Sequence, residues 1–213
     1  MHALSQAHRK EAPINAHEGP NVSRTFDAKN NMWAVRVLPG AYYVTDARDE
    51  MIVTVLGSCV AACVRDPNTG FGGLNHFMLP NNETADWNGI NAALRYGNFA
   101  MEALINEVLK SGCRREDLEI KLFGGANLNV GPTLIGTKNS EFAVQYLAQE
   151  GLRLTAHDLG GARGRRIHYF PETGAVKRLL QKPTAERNFV RQEQEYVSTL
   201  RIEPVEGDIE LFG

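Results

Sequence analysis

A chain of 213 residues with 43% hydrophobic and 23% charged residues is ordinary for one well-buried globular domain with extra segments at its ends. The formal charge of −2 offers no electrostatic case for general nucleic-acid or membrane-surface binding, and no apolar run is long enough to span a bilayer. The first twenty residues lack the apolar stretch of a secretory signal, and the cysteine count of three is odd. Free thiols in a reducing, cytoplasmic setting are therefore expected.

Residues 1–32 are polar and aperiodic, with His2, His8 and His17 scattered among Ala, Pro, Asn and Glu, and are expected to form a mobile tail. "WAVRVLPGAYYVT" (33–45) reads as a strand, a Pro39-Gly40 turn and a second strand. Ile52 to Leu56 and Val60 to Val64 are apolar and rich in β-branched residues. "DPNTG" (66–70) marks a turn, and "FGGLNHFML" supplies the next strand. Ile90, Leu94, Gly97, Met101, Leu104, Ile105 and Val108 make one stripe of a helix near 88–110, a pattern of core packing. "LEIKLFGGA" (118–126) is a strand ending in a double glycine. A second helix is expected from Asn139 or Ser140, as N-cap, to Gly151. "LRLTAHD", "RRIHYF" and "AVKRLL" read as strands, the last two joined by a Pro171–Gly174 hairpin turn. A charged helix is expected at 184–200, then an extended tail. Together these elements predict an α+β fold: a layered mixed β-sheet or β-sandwich core with flanking helices. Its parts are a tail (1–32), a main domain (33–182) and a C-terminal helix with extended tail (183–213).

The stretch "VTVLGSCVAACV" (53–64) raises the question of chemistry. A reactive cysteine needs a partner to take and return its proton, usually a histidine. Centring the "DPNTG" turn on Pro67 and Asn68 places Cys59 directly opposite His76 on one face of an antiparallel hairpin. A one-residue shift in that turn would flip the faces. The same register sets Cys63 opposite Gly72, where it reads as a small buried apolar residue. Cys113 lies in "SGCRRED"; its arginine neighbours would lower its pKa, but an incidental thiol is the simpler reading. Four residues of strand separate Cys59 from Cys63, too far for one metal ion or a disulfide. No metal and no cofactor are expected.

The words "TVLGSCVAACVRDPNTGFGGLNHFMLP", "KLFGGANL", "IGTKN" and "DLGGARGRRIHYFPETG", together covering about residues 36–182, resemble the CheD family of chemoreceptor glutamine deamidases; the closing "GDIELF" is similar to the C-terminus of its proteobacterial members. The resemblance implies a cysteine hydrolase with a fold like that of the deamidase toxins of the cytotoxic necrotizing factor group. It implies Cys59 as nucleophile and His76 as base. The family's third member is a hydroxyl residue, often Thr, six positions before the cysteine. Here Val53 holds that position and the hydroxyl is on Thr54, which points to the opposite face of a strand. The third role falls to Thr54, to Ser58 or to a backbone carbonyl.

Backbone N–H groups around Gly57, Ser58 and Cys59 are the natural oxyanion donors. Gly124, Gly125, Gly160 and Gly161 would let a substrate segment approach, or simply make tight turns. Arg163, Arg165 and Arg166 would hold the acidic surface of a receptor bundle, or be a solvated loop. The implied partners are the cytoplasmic domains of methyl-accepting chemotaxis receptors and a phosphatase-type chemotaxis regulator. The rival reading is a non-catalytic adaptor docking on the same partners.

Overall fold

The computed structural model describes residues 21–79, 87–128 and 134–182 together with Glu195, with side chains of the first helix described from Leu94 onward. The strands are β1 (Val22–Asp27), β2 (Met32–Val37), β3 (Tyr42–Thr45), β4 (Glu50–Leu56), β5 (Val60–Arg65) and β6 (Gly72–Asn75), followed by β7 (Glu119–Gly124), β8 (Leu154–Leu159), β9 (Arg165–Phe170) and β10 (Ala175–Leu180). Helix α1 (Trp87–Leu109) precedes β7, and α2 (Ile135–Gln149) follows it.

Two five-stranded sheets result, ordered β1-β2-β4-β9-β10 and β3-β6-β5-β7-β8. Each is mixed, because β2 pairs β4 and β7 pairs β8 in parallel while the other pairs are antiparallel. The sheets stack through inward side chains that include Val35, Ile52, Leu56, Cys59, Ala61, Cys63, Leu74, Ile167 and Tyr169. Alternate residues of β5, Val60, Ala62 and Val64, point the other way. They pack against Met101, Leu104, Ile105 and Val108 of α1 and Phe142, Ala143 and Tyr146 of α2. The period of two in the strands and of 3.6 in the helices thus builds three layers: sheet, sheet, helices. The expected α+β layered architecture is what forms. No described helix is long and apolar enough to cross a membrane.

Three expectations change and one, the second, gains detail. The tail expected over 1–32 does not extend that far, because Val22–Asp27 form β1 against β2. Its anchor is Arg24, whose guanidinium meets Tyr43 Oη at 2.6 Å and Glu50 Oε1 at 2.7 Å; Tyr43 in turn donates to Glu50 Oε2 at 2.8 Å. That buried cluster ties the edge hairpin to both sheets, since Tyr43 belongs to one and Glu50 to the other. Secondly, the strands on either side of Pro39-Gly40 enter different sheets. Thirdly, α2 starts four residues before Asn139, which therefore lies inside the helix and caps nothing. Lastly, Leu94 departs from the buried stripe of α1 and is 44% exposed. The helix and tail expected over 184–213, and residues 1–20, lie outside the described residues apart from Glu195.

Candidate active site

Gly57, Ser58 and Cys59 carry the chain from β4 in one sheet to β5 in the other. Three carbonyls hold this reversal in place. Gly57 O accepts from Ala126 N–H at 2.8 Å, Ser58 O from the Asn139 side-chain amide at 2.8 Å and Cys59 O from Gly125 N–H at 2.8 Å. A Cβ on Gly124 would sit 2.1 Å from the Cys59 carbonyl oxygen, and one on Gly125 would sit 1.8 Å from Ser140 Oγ. Both glycines also have positive φ, +116° and +66°. Their freedom is used for packing of the chain on the Gly57–Cys59 turn, in line with the tight-turn alternative. Gly124→Ala should lower stability by about 1–3 kcal/mol through backbone strain alone, plus the clash, read as a reduced thermal midpoint.

The observed register between β5 and β6 sets Cys63 opposite Leu74 and Val64 opposite Gly73, two residues from the expected pairing of Cys63 with Gly72. The reason lies in the turn. Gly70, at φ +77°, adds a further loop residue, and the loop closes with Asp66 N–H on Phe71 O at 2.8 Å. A shift of two preserves the faces. Val60 bridges Phe77, so Cys59 and His76 become diagonal neighbours on the inter-sheet face, roughly 7–8 Å apart at the backbone. Cys59 is 0% exposed and His76 3%.

His76 Nδ1 lies 2.8 Å from Thr54 Oγ1, and Thr54 Oγ1 lies 2.7 Å from the Val37 carbonyl. The hydroxyl has one proton and the carbonyl can only accept it. Thr54 therefore donates to Val37 and accepts from Nδ1–H, which fixes the neutral tautomer with its lone pair on Nε2. His76 Nε2 is buried and has no hydrogen-bond partner among the described residues. Burial pushes the imidazole pKa down to about 4, with the Val37 carbonyl acting in the opposite sense. The ring is thus held neutral, oriented and basic at one nitrogen.

Of the three candidates for the third role, Thr54 makes the contact with His76, beside the carbonyl of Val37. Thr54 succeeds because Ile52, Thr54 and Leu56 face the inter-sheet core. Val53 pairs with His168 on the outer face of its sheet. Ser58 Oγ instead lies 3.6 Å from Met78 Sδ.

Cys63 is 1% exposed, and burial pushes its thiol pKa far up. Cys63→Ser should keep activity while losing about 1–3 kcal/mol of stability for a poorly satisfied hydroxyl; loss of turnover in a folded variant would mean that this face is misassigned. Cys113 is corrected in sign. Burial and the nearby Asp66 carboxylate raise its pKa to about 11, outweighing Arg114.

Gly160 and Gly161, at φ +77° and +80°, form a turn beside the segment that follows β7, joined to it by Gly160 N–H on Gly124 O and Asn127 N–H on Gly161 O. A Cβ at Gly160 would meet nothing within 4 Å. Arg165 cannot face a partner: it is 2% exposed, pairs with Asp158 at 3.0 Å and donates to the Asp158 and Gly160 carbonyls. Arg163 is exposed and holds the Gln181 carbonyl at 2.7 and 3.0 Å, and Arg166 is exposed. Among the described residues, no group of three or more His, Cys, Asp or Glu side chains converges as metal ligands would.

Sequence reasoning passed over Asn75 and read Asn139 only as a helix cap. Asn75 uses its amide to accept from Ala62 N–H and to donate to Ala100 O, both at 2.8 Å, bracing the residue next to His76. Asn139 is 0% exposed on the same helix face as Phe142, Ala143 and Tyr146. An asparagine interrupting an apolar stripe was the available signal.

Residues 78–178 match the family model described as CheD chemotactic sensory transduction. A protein of Rhodopseudomonas palustris named "Probable chemoreceptor glutamine deamidase CheD" is 46% identical over 206 residues, covering 97% of each chain. Proteins of the same name from Halorhodospira halophila and Saccharophagus degradans are 46% and 48% identical, with 90% of each chain covered. A crystal structure of the Bacillus licheniformis hypothetical protein YfiH is similar at a TM-score of 0.32 and 14% identity, over 55% of this chain and 49% of that one. With near-complete coverage at such identity, the chain belongs to the CheD family.

Proposed function

We propose that this chain deamidates glutamines of chemotaxis receptors through a thioester on Cys59, with His76 as its base and Thr54 orienting His76. Family membership supports the reaction. The single observation supporting this mechanism is the proton order Nδ1–H to Thr54 Oγ1 to Val37 O, which leaves a buried imidazole basic at Nε2 beside the Cys59 row.

In the first half-reaction, Nε2 takes the Cys59 proton as Sγ bonds to the side-chain carboxamide carbon. The C–N bond then breaks, and His76 returns the proton so that ammonia leaves rather than amide anion. In the second, His76 takes a proton from water, whose oxygen bonds to the thioester carbon. The C–S bond breaks, leaving glutamate and the thiol. N–H groups of the Gly57–Cys59 turn serve the oxyanion in both halves. The catalytic unit is residues 33–182 with β1 added, a Cys-on-a-turn hydrolase related in fold to the cytotoxic necrotizing factor deamidases. It works on receptor signalling regions in the cytoplasm, with Gly160, Gly161 and the exposed Arg163 beside the incoming helix and a phosphatase-type protein as regulator.

Incubating the purified chain with a receptor cytoplasmic fragment, followed by peptide mass spectrometry, tests the reaction. Gln-to-Glu conversion at defined positions is the expected result; an unmodified fragment in the presence of folded protein would refute it.

A further inference from the structure

We infer that Asn139 is a positioning residue for deamidation: one buried side-chain amide sets both the direction of the Cys59 N–H and the path of the chain that carries His76. The inference rests on Cys59 being the nucleophile.

Asn139 sits on α2, in the helix layer rather than in either sheet, and is completely buried. Its Nδ2 donates to Ser58 O at 2.8 Å, and its Oδ1 accepts from Leu79 N–H at 2.9 Å. The orientation of the amide follows from chemistry, since a flip would set two donors and two acceptors against each other. The trans peptide is planar, with its C=O and N–H pointing in opposite directions. Tying the Ser58 carbonyl toward α2 therefore aims the Cys59 N–H to the opposite side, toward the interior face that Cys59 shares with His76. The neighbouring Gly57 and Cys59 carbonyls are held by backbone N–H groups of Ala126 and Gly125. The middle carbonyl relies on a side chain, so a single substitution reaches it.

The second bond acts on the base. Leu79 lies three residues after His76, in a segment that leaves β6 and is bound to β5 by the Val60–Phe77 bridge. Asn139 thus links the nucleophile turn to the base segment through one rigid amide. The helix is brought close enough for this by Gly136, where a Cβ would lie 2.4 Å from the Gly125 and Ala126 carbonyl oxygens.

Asn139→Asp separates a positioning role from a merely structural one. The aspartate keeps an acceptor for Leu79 N–H. Protonated, it donates an O–H to Ser58 O as the amide did; ionised, it sets a carboxylate oxygen against that carbonyl. Burial raises the pKa of such a carboxyl, so both states are reached in the working range. With the full-length chain, a receptor cytoplasmic fragment and thermal melts to verify folding, the kcat of Asn139→Asp relative to the parent should fall about 10- to 100-fold between about pH 6 and about pH 9. That is somewhat less than outright loss of an oxyanion donor. KM should not change. A ratio independent of pH, or a loss confined to KM, overturns the inference. Asn139→Leu should show the low kcat at every pH, and parent-like turnover in that variant would also overturn it; if Asn139→Leu does not fold, the aspartate ratio alone decides. Cys59→Ala run alongside separates the two levels. If it still deamidates, the nucleophile assignment falls and this inference with it; if it is inactive while the Asn139→Asp ratio is flat, this inference alone falls.

Discussion

Cys59→Ala should lower glutamate formation on a receptor fragment by about 10⁴-fold or more, while leaving the thermal midpoint close to that of the parent. The rate effect is large because no other group supplies the bond to carbon. Cys63, four residues on, has its thiol pushed far up by burial, and Cys113 is held near 11. Cys63 is diagonal to His76 in the same register but keeps its proton, and Cys113 packs on the helix-side cluster. The stability effect is small because alanine removes one sulfur from the inter-sheet cluster that also holds Ala61 and Met78, leaving a small void. The three carbonyl bonds of the Gly57–Cys59 turn involve no side-chain atom of Cys59 and survive. Kinetics on the fragment with parallel melting curves check both halves. A folded Cys59→Ala protein that still turns over at the parent rate would remove Cys59 from the chemistry.

His76→Gln should cost about 10²–10⁴-fold in turnover, the range of a general acid–base group, and should also change how stability depends on pH. The imidazole pKa is about 4 when folded, against about 6.5 for an unperturbed histidine. The unfolded chain therefore binds the proton first as pH falls. The parent loses stability from about pH 6.5 down to about pH 4, by on the order of 3 kcal/mol, and this histidine contributes no slope above that window. Glutamine has no such proton, so the difference in unfolding free energy between parent and variant should shift in favour of the variant across that window. Denaturant titrations at several pH values read this directly. A constant difference would show that His76 is not held neutral by burial.

Much of this site was legible in the chain, and what was not has physical causes. The hairpin around "DPNTG" placed Cys59 and His76 on one face although its register was two residues off, since face depends on parity alone. The error came from Gly70, whose left-handed conformation enlarges the loop and cannot be read from the hydrophobic pattern. The choice between Val53 and Thr54 depended on which of two apolar-flanked rows of β4 faces the second sheet, and Val53, Val55, Ile52 and Leu56 are alike enough to hide it. Asn139 was hidden more deeply. It meets Ser58 across 81 positions of sequence, and its helical position resembled an N-cap because α2 begins after Leu134 with no side-chain cap. Arg24 escaped notice in the same way, since only the meeting of Tyr43 and Glu50 makes a charged residue near a polar terminus worth burying.

The thioester on Cys59 is tested most directly by turnover in hydroxylamine. A thioester partitions between water and this stronger nucleophile, whereas direct hydrolysis of the carboxamide by activated water passes through no acyl-enzyme. Peptide mass spectrometry of the receptor fragment should then find hydroxamate at the same glutamines that become glutamate in its absence, and neither product with Cys59→Ala. Glutamate alone, formed at an unchanged rate however much hydroxylamine is present, would contradict a covalent intermediate on Cys59.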